Sequence, residues 1–288
     1  MRAQVFVPGH ISCTFRPVMG PAYDTSGSLG FGIRLNLGCR ADVQLRDDDR
    51  INIKINGKDS EAAITRAALE LMGSGRGMDA RLEHDLPLEQ GFGSSASGTY
   101  AATLALASLI GSDPASALDA THRMEFSMGG GLGDLLAIDS TYGVPVRTSP
   151  GLPGRSGRTE DSGLNFSKLS LAVFDEPLNT GSVLRNENHM KRIVQAGDSA
   201  LEDFRRDRTI DGLFKISNRF SESIGLESEK VKWALGEIRE NGFHAGMCML
   251  GNSIYTDAPM EFLQDNLKET RLFSAASNSD RIVVTRTE

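Results

Sequence analysis

Residues 87–98 read Pro-Leu-Glu-Gln-Gly-Phe-Gly-Ser-Ser-Ala-Ser-Gly and stand directly before an apolar run. Glycines let a backbone turn tightly and approach a ligand without Cβ clashes. A helix behind such a loop aims unpaired N–H groups and the positive end of its dipole at it. Ser94 and Ser95 add hydroxyls suited to phosphate oxygens or Mg²⁺. Further on, Leu118, Thr121, His122 and Glu125 share one helical face, and Gly129-Gly-Gly-Leu-Gly133 then delivers Asp134. Asp134 can cap a short helix, or it can take the proton of a substrate hydroxyl. Glu125 and Asp134 are spaced for separate duties, one at a metal and one at a nucleophile. Ala245–Ser253 is a glycine-bracketed apolar run that reads alone as a core strand. Arg147 and Thr180 are unremarkable by themselves.

Two common phosphate motifs can be tested on the letters. The Walker A pattern is absent, because Gly57-Lys58 is followed by Asp59 and no glycine stands at position 52. The dinucleotide fingerprint does match Gly91-x-Gly93-x-x-Ala96. Its strand should be buried on both faces and continuously apolar, whereas the preceding RLEHDLPLEQ is charged.

The elements that must position these groups follow from periodicity. Residues 2–7 read as a strand and 40–56 as a hairpin turning at Asp47-Asp48-Asp49. A helix is expected over 60–72, capped by Asp59 or Ser60 and ended by Gly73. A half-exposed strand follows at 80–86, then a helix of small residues over 95–110. Asp113-Pro114 opens another helix, which runs to about Met128, and a short one restarts at Asp134. The Pro/Gly/Ser-rich stretch 149–163 reads as a linker, placing a domain boundary near 160. Beyond it come a strand (168–174), helices near 186–206, 209–224 and 227–241, a strand segment (245–255), a helix (259–268) and a last strand (281–286). Mixed strands and helices with hairpins favour α+β in two domains, 1–160 and 161–288.

The chain has 288 residues, a net charge of −7 and 31 glycines. That is roughly 11% glycine against about 7% in average proteins. An acidic total argues against a general nucleic-acid or anionic-membrane binder. Cys13, Cys39 and Cys248 are far apart and form neither a zinc motif nor a disulfide framework. The N-terminus resembles neither a signal peptide nor an anchor, and the chain reads as cytoplasmic.

Together these residues resemble the GHMP kinase superfamily, whose hallmark loop Pro-x-x-x-Gly-Leu-Gly-Ser-Ser-Ala is matched by 87–96 with Phe92 in place of Leu. Within it, the archaeal-type pantoate kinase family is the nearest in motif. The islands that carry this are Val7-Pro-Gly-His-Ile11, Gly27-Ser28 ahead of Gly30-Phe-Gly-Ile33, and Thr121-His122-x-x-Glu125 with Gly131-Leu-Gly-Asp134. Arg147–Gly154, Thr180-x-x-Val183-Leu184 and Met249–Ser253 complete the set. The resemblance implies a ribosomal-protein-S5-like N-terminal domain and a ferredoxin-like C-terminal α/β sandwich.

It also implies ATP as phosphate donor and Mg²⁺ held by Ser95 and Glu125, with Asp134 as the catalytic group on the acceptor hydroxyl. Gly91, Phe92, Gly93, Ser94, Ser95 and Ala96 match the nucleotide cradle. Ser28, His122, Arg147 and Thr180 match positions for binding pantoate or supporting it. An arginine suits a carboxylate because its guanidinium binds one in a fork. The expected partner is a small molecule, with no nucleic acid or membrane, and a homodimer stays open. One departure stands out: some members carry an N-terminal Lys beside the base, residues 1–20 contain none, and His10 and Arg16 are the available substitutes. Three alternatives stay open: a kinase for homoserine, mevalonate or a sugar; a dinucleotide-binding oxidoreductase; and a non-catalytic relative of the kinases.

Overall fold

A computed structural model of the chain describes residues 1–174 and 187–287. Its strands are β1 (Arg2–Ser12), β2 (Arg16–Val18), β3 (Gly27–Leu45), β4 (Ile51–Ile55), β5 (Lys58–Asp59), β6 (Met78–His84), β7 (Pro145–Ser149), β8 (Arg158–Asp161), β9 (Leu169–Val173), β10 (Ala245–Met247), β11 (Ser253–Thr256), β12 (Arg271–Ala275) and β13 (Val284–Thr287). The helices are α1 (Ala63–Gly73), α2 (Ser94–Ile110), α3 (Pro114–Met128), α4 (Asp134–Ile138), α5 (Glu187–Arg206), α6 (Ile210–Ile224), α7 (Glu229–Glu240) and α8 (Met260–Asn266). A 3-10 turn covers Tyr23–Thr25.

The larger sheet runs β13-β1-β3-β6-β4-β5, with β2 and β7 on the first half of β3 and β8 beside β7. The smaller sheet runs β10-β11-β9-β12. This is the expected α+β architecture with two sheets. The long β3 organises the larger one. It pairs with β1 and β6 along its later residues, and with β2 and β7 through Gly27–Phe31.

Helix α2 lies against β1 and β3 and is flanked by α1 and α3. Its residues from Ala96 to Ala107 are all buried. Small residues allow this, since a helix apolar all round can only live inside a core. Gly111, in the left-handed region, ends it by returning its N–H to Ala107 O,. In α3, Asp113 accepts from Ala115 N and Pro114 takes the first helical position, as expected. Two apolar clusters result. One fills the space between the larger sheet and α2. The other joins the smaller sheet to α5–α7 and reaches Phe31 and Phe92.

Several expectations are corrected. Residues 40–56 are not a hairpin, because β6 lies between β3 and β4, antiparallel to the first and parallel to the second. The Asp47–Asp49 turn wraps the start of β6 instead: Gly77 N–H donates to Asp48 O, and Met78 N–H to Arg50 O. Helix α1 starts later than expected, at Ala63. Ala62 precedes it with φ 40°, and neither Asp59 nor Ser60 caps it. Residues 149–163 include paired strand, since β8 is antiparallel to β7. The segment 245–255 is a hairpin of β10 and β11 rather than one strand. The expected last strand exists and pairs with β1, so the two ends of the sequence lie side by side.

Phe204 of α5 is fully buried and stacks on Phe31 of β3, with ring centroids 3.9 Å apart. That contact fastens the second helical layer to the larger sheet. Phe204→Ala should therefore lower unfolding stability by about 3–5 kcal/mol, the usual cost of emptying such a site. Urea unfolding followed by circular dichroism measures it.

Candidate active site

The loop 87–93 enters α2 through two left-handed glycines, Gly91 (φ 80°) and Gly93 (φ 63°). A β-carbon at 93 would lie 3.3 Å from Asp134 Cγ, so the loop and this carboxylate are neighbours. Gly93 is the N-cap and offers no side chain. The first N–H groups of α2 therefore have no capping side chain, the state in which a helix start can accept an anion.

The loop is held from behind. Gly9 brings β1 close, and His10 N–H donates to Phe92 O at 3.0 Å. On the other side the β10–β11 turn grips Gln90. Gln90 Oε1 accepts from Asn252 N at 3.1 Å, and its carbonyl accepts from Ser253 Oγ at 2.6 Å. Gln90 Nε2 donates to Phe174 O at 3.2 Å. Gly251 sits on the backbone of Gln90, where a β-carbon would meet the carbonyl at 2.1 Å. The Ala245–Ser253 run thus supports the loop, and Gly251 approaches protein rather than ligand. Gly98 likewise lies inside α2, packed on His84.

Ser95 and Glu125 come together across α2 and α3. Ser95 Oγ donates to Glu125 Oε1 at 2.5 Å, and Gly131 N–H donates to Oε2 at 2.8 Å. Glu125 is buried, and burial pushes its carboxyl up to about 7, against the two hydrogen bonds. Among the described residues no group of three or more His, Cys, Asp or Glu could hold a metal ion. A cation at Ser95 and Glu125 would take its other oxygens from phosphate and water. That suits Mg²⁺, which commonly uses one or two carboxylates.

Asp134 opens α4, and its side chain is 24% exposed. Its Oδ1 lies 2.8 Å from Nδ1 of the fully buried His10. His10 Nε2 faces Arg147 Nη1 at 3.5 Å. A guanidinium only donates, so Nε2 accepts and the ring proton sits on Nδ1, directed at Asp134. Burial lowers the His10 pKa, which keeps the ring neutral. Burial also opposes ionisation of Asp134. The hydrogen bond from His10 and the charge of Arg147 outweigh it and hold the carboxyl below its ordinary range. Arg16 instead faces Asp198 at 2.7 Å, so His10 is the N-terminal residue that reaches the carboxylate.

Arg147 is fully buried. It donates to Ser12 Oγ at 3.2 Å and to Thr14 O at 3.0 Å. Among the described residues its Nε has no partner. Gly133 and Ser28 stand beside it: a β-carbon at 133 would lie 3.2 Å from Arg147 Nε and 2.9 Å from Ser28 Cβ. His122 reaches the carbonyls of Tyr23 (2.9 Å) and Ser26 (3.1 Å) through Nε2, so it fixes the turn that leads to Ser28. Thr180, with Val183 and Leu184, lies outside the described residues.

The loop, the Ser95–Glu125 pair and Asp134 therefore converge, as the motifs anticipate. The sequence did not single out Gln90 or Arg34. Arg34 is a lone charge inside the apolar run Phe31–Leu37, and that isolation was its signal. The dinucleotide reading fails on β6, which alternates buried and exposed residues instead of being buried on both faces.

A two-sheet α+β fold that holds a glycine loop at an uncapped helix start, beside two carboxylates, is an arrangement suited to binding phosphate,. Residues 62–140 match the family model for the N-terminal domain of GHMP kinases. A pantoate kinase of Methanospirillum hungatei is 29% identical over 261 residues, covering 88% of this chain and 86% of that protein. One from Thermococcus kodakarensis is 28% identical over 270 residues, covering 88% and 87%. A solved structure described as a phosphotransferase related to the CoA biosynthesis pathway superposes with a TM-score of 0.88 at 26% identity, covering 99% of both chains. The chain is therefore similar to the GHMP kinase superfamily, in sequence over residues 62–140 and in fold over its length. Its chemistry is that superfamily's phosphoryl transfer onto a small hydroxylated substrate.

The arrangement around Asp134 can be tested directly. His10→Ala removes the Nδ1 donor while leaving the opposing burial in place. The carboxyl of Asp134 should then titrate at higher pH than in the unaltered protein. Carbon-13 NMR of labelled aspartate measures the change.

Proposed function

We propose that this chain transfers the γ-phosphoryl group of ATP to the primary hydroxyl of pantoate, giving 4-phosphopantoate on the route to coenzyme A. One observation carries the reading. An ionised, partly open carboxylate, Asp134, lies against the glycine loop at Gly93 and is held there by a buried donor. A phosphoryl acceptor needs such a group beside the end of the triphosphate. The names of the two relatives above support pantoate in particular.

In this reading the N–H groups of 91–96 bind the phosphates and orient the terminal one. Asp134 accepts the hydrogen bond of the attacking hydroxyl, and its Oδ atoms take the proton as the bond to phosphorus forms. Ser95 and Glu125 would hold Mg²⁺, which when bound neutralises charge on the phosphate oxygens. A loose transition state leaves positioning and electrostatics as the main sources of catalysis. Ser28 and Arg147, on the Gly133 side, are the proposed acceptor-side residues. His122 supports them by holding the turn at residues 23–26. Thr180 is proposed for the same side from its motif alone.

The decisive test is ADP release with Mg-ATP across pantoate, homoserine, mevalonate and simple sugars. Turnover with pantoate is expected, and turnover only with another acceptor would overturn the substrate assignment. Asp134→Ala should lower kcat by about 10²–10⁴-fold, the range for loss of a general base. Near-normal turnover of that variant would remove Asp134 from the role.

A further inference from the structure

Helix α4 has five residues, Asp134–Ile138. A helix that short has no stability of its own, so contacts at its ends decide where it sits. Two residues of the larger sheet supply contacts at opposite ends. His10 of β1 meets the side chain of Asp134, the first residue, at 2.8 Å. Arg34 of β3 donates from Nε to the carbonyl of Ile138, the last residue, at 2.8 Å. His10 and Arg34 are direct cross-strand partners in the β1–β3 register, just where that register shifts. Side chains opposite one another in an antiparallel pair leave the same face.

Arg34 does more than touch the helix. It is 1% exposed, and its other nitrogens all bind the segment that follows β12. Nη1 donates to Asn278 O at 2.9 Å and to Asn278 Oδ1 at 2.7 Å. Nη2 donates to Asp280 O at 2.8 Å. The backbone adds Asn278 N–H to Arg34 O, and Asn36 N–H to Ala276 O. One guanidinium therefore bonds the last carbonyl of α4 and the 278–280 segment at once. A cation at a helix C-terminus is favourable, because free carbonyls and the negative end of the dipole gather there. Beside it Asp139 accepts from Tyr100 OH at 3.0 Å, which closes the same end of the helix.

We infer that His10 and Arg34 form a two-point mount for α4, and that Arg34 is a positioning residue for phosphoryl transfer, joining the helix that carries Asp134 to the 276–280 segment. The inference rests on the kinase reading above and adds a residue that touches neither phosphate nor acceptor. Releasing one end of α4 lets its first residue swing. A misplacement of about 1 Å at a reacting group can cost on the order of 10²-fold in rate. The nucleotide loop hangs from β1 and the β10–β11 turn, so it should not follow.

Arg34→Lys tests this, because it keeps a buried cation but replaces a fork with a point charge that cannot span Ile138 and Asn278 together. The expected result is a kcat lowered by about 10–100-fold, with the KM for ATP within about twofold of the unaltered enzyme. Amide hydrogen exchange over Leu135–Asp139 should quicken. Leu263→Ala, in helix α8, supplies a variant that loses core packing but none of the hydrogen-bonding groups of the mount, and it should keep its kcat. The inference is overturned if Arg34→Lys keeps kcat within twofold, if its KM for ATP rises as far as kcat falls, or if Leu263→Ala loses kcat equally. Should the unaltered protein turn over no acceptor, the kinase reading fails. Hydrogen exchange then still judges the mount, and unchanged protection over α4 would overturn it. Should Arg34→Lys fail to fold, Asn278→Ala takes its place. It removes one acceptor from the clasp and must speed exchange over α4 for the mount to stand.

Discussion

The structure depends on keeping one carboxylate charged inside a fold that would otherwise neutralise it. Taking a carboxylate out of water favours its protonated form, and each tenfold change in that balance represents about 1.4 kcal/mol. Asp134 escapes this because a neutral imidazole gives it a hydrogen bond and a buried guanidinium stands behind the imidazole. The guanidinium in turn is held by Ser12 and Thr14 of the N-terminal segment. None of these groups could be buried alone without a cost of several kcal/mol. The first strand and its extension are thus committed to the polar interior, and the larger sheet is arranged around that commitment. Glu125 shows the contrast. Its two hydrogen bonds do not overcome burial, which pushes its carboxyl up to about 7.

A second consequence concerns the glycine loop. A loop that offers N–H groups to a ligand cannot satisfy them internally, so its stability must come from behind. Here it comes from the carbonyl of Phe92, the side chain of Gln90 and the close approach of Gly251. These contacts join the two sheets, because Gln90 belongs to the connection out of β6 and Asn252 to the turn of the smaller sheet. The proposed cradle is therefore a seam between the two halves of the molecule rather than a property of the first half.

Much of this was legible in the letters. The helix starts at Asp113-Pro114 and Asp134 and the glycine loop rest on local rules of capping and turn chemistry, and they fall where those rules put them. The Ser95, Glu125 and Asp134 set came from the motif resemblance, and the fold brings the three near one another. What was not legible is non-local. The insertion of β6 between β3 and β4 reverses a hairpin that every local signal at Asp47–Asp49 supported. The start of β3 was obscured because Gly27, Gly30 and Gly32 look like turn residues, yet they sit in a strand pressed against other backbone. The choice of His10 over Arg16 was a matter of which way the two side chains leave the chain, which spacing alone does not decide.

The contact between Arg34 and Asn278 joins positions 244 apart in sequence. At translation speeds of about 5–20 residues per second, the arginine is made roughly 10–50 s before its partner exists. During that interval a nascent chain can assemble β1, β3 and the helices stacked on them, but Arg34 then has only the Ile138 carbonyl to receive it, and its two Nη atoms lack their acceptors. Water must remain at that position until the later segment arrives. The last step of maturation on the ribosome would then be a dehydration at the foot of α4. A chain stalled before residue 276 would carry every residue of the proposed catalytic centre and still lack its finished geometry.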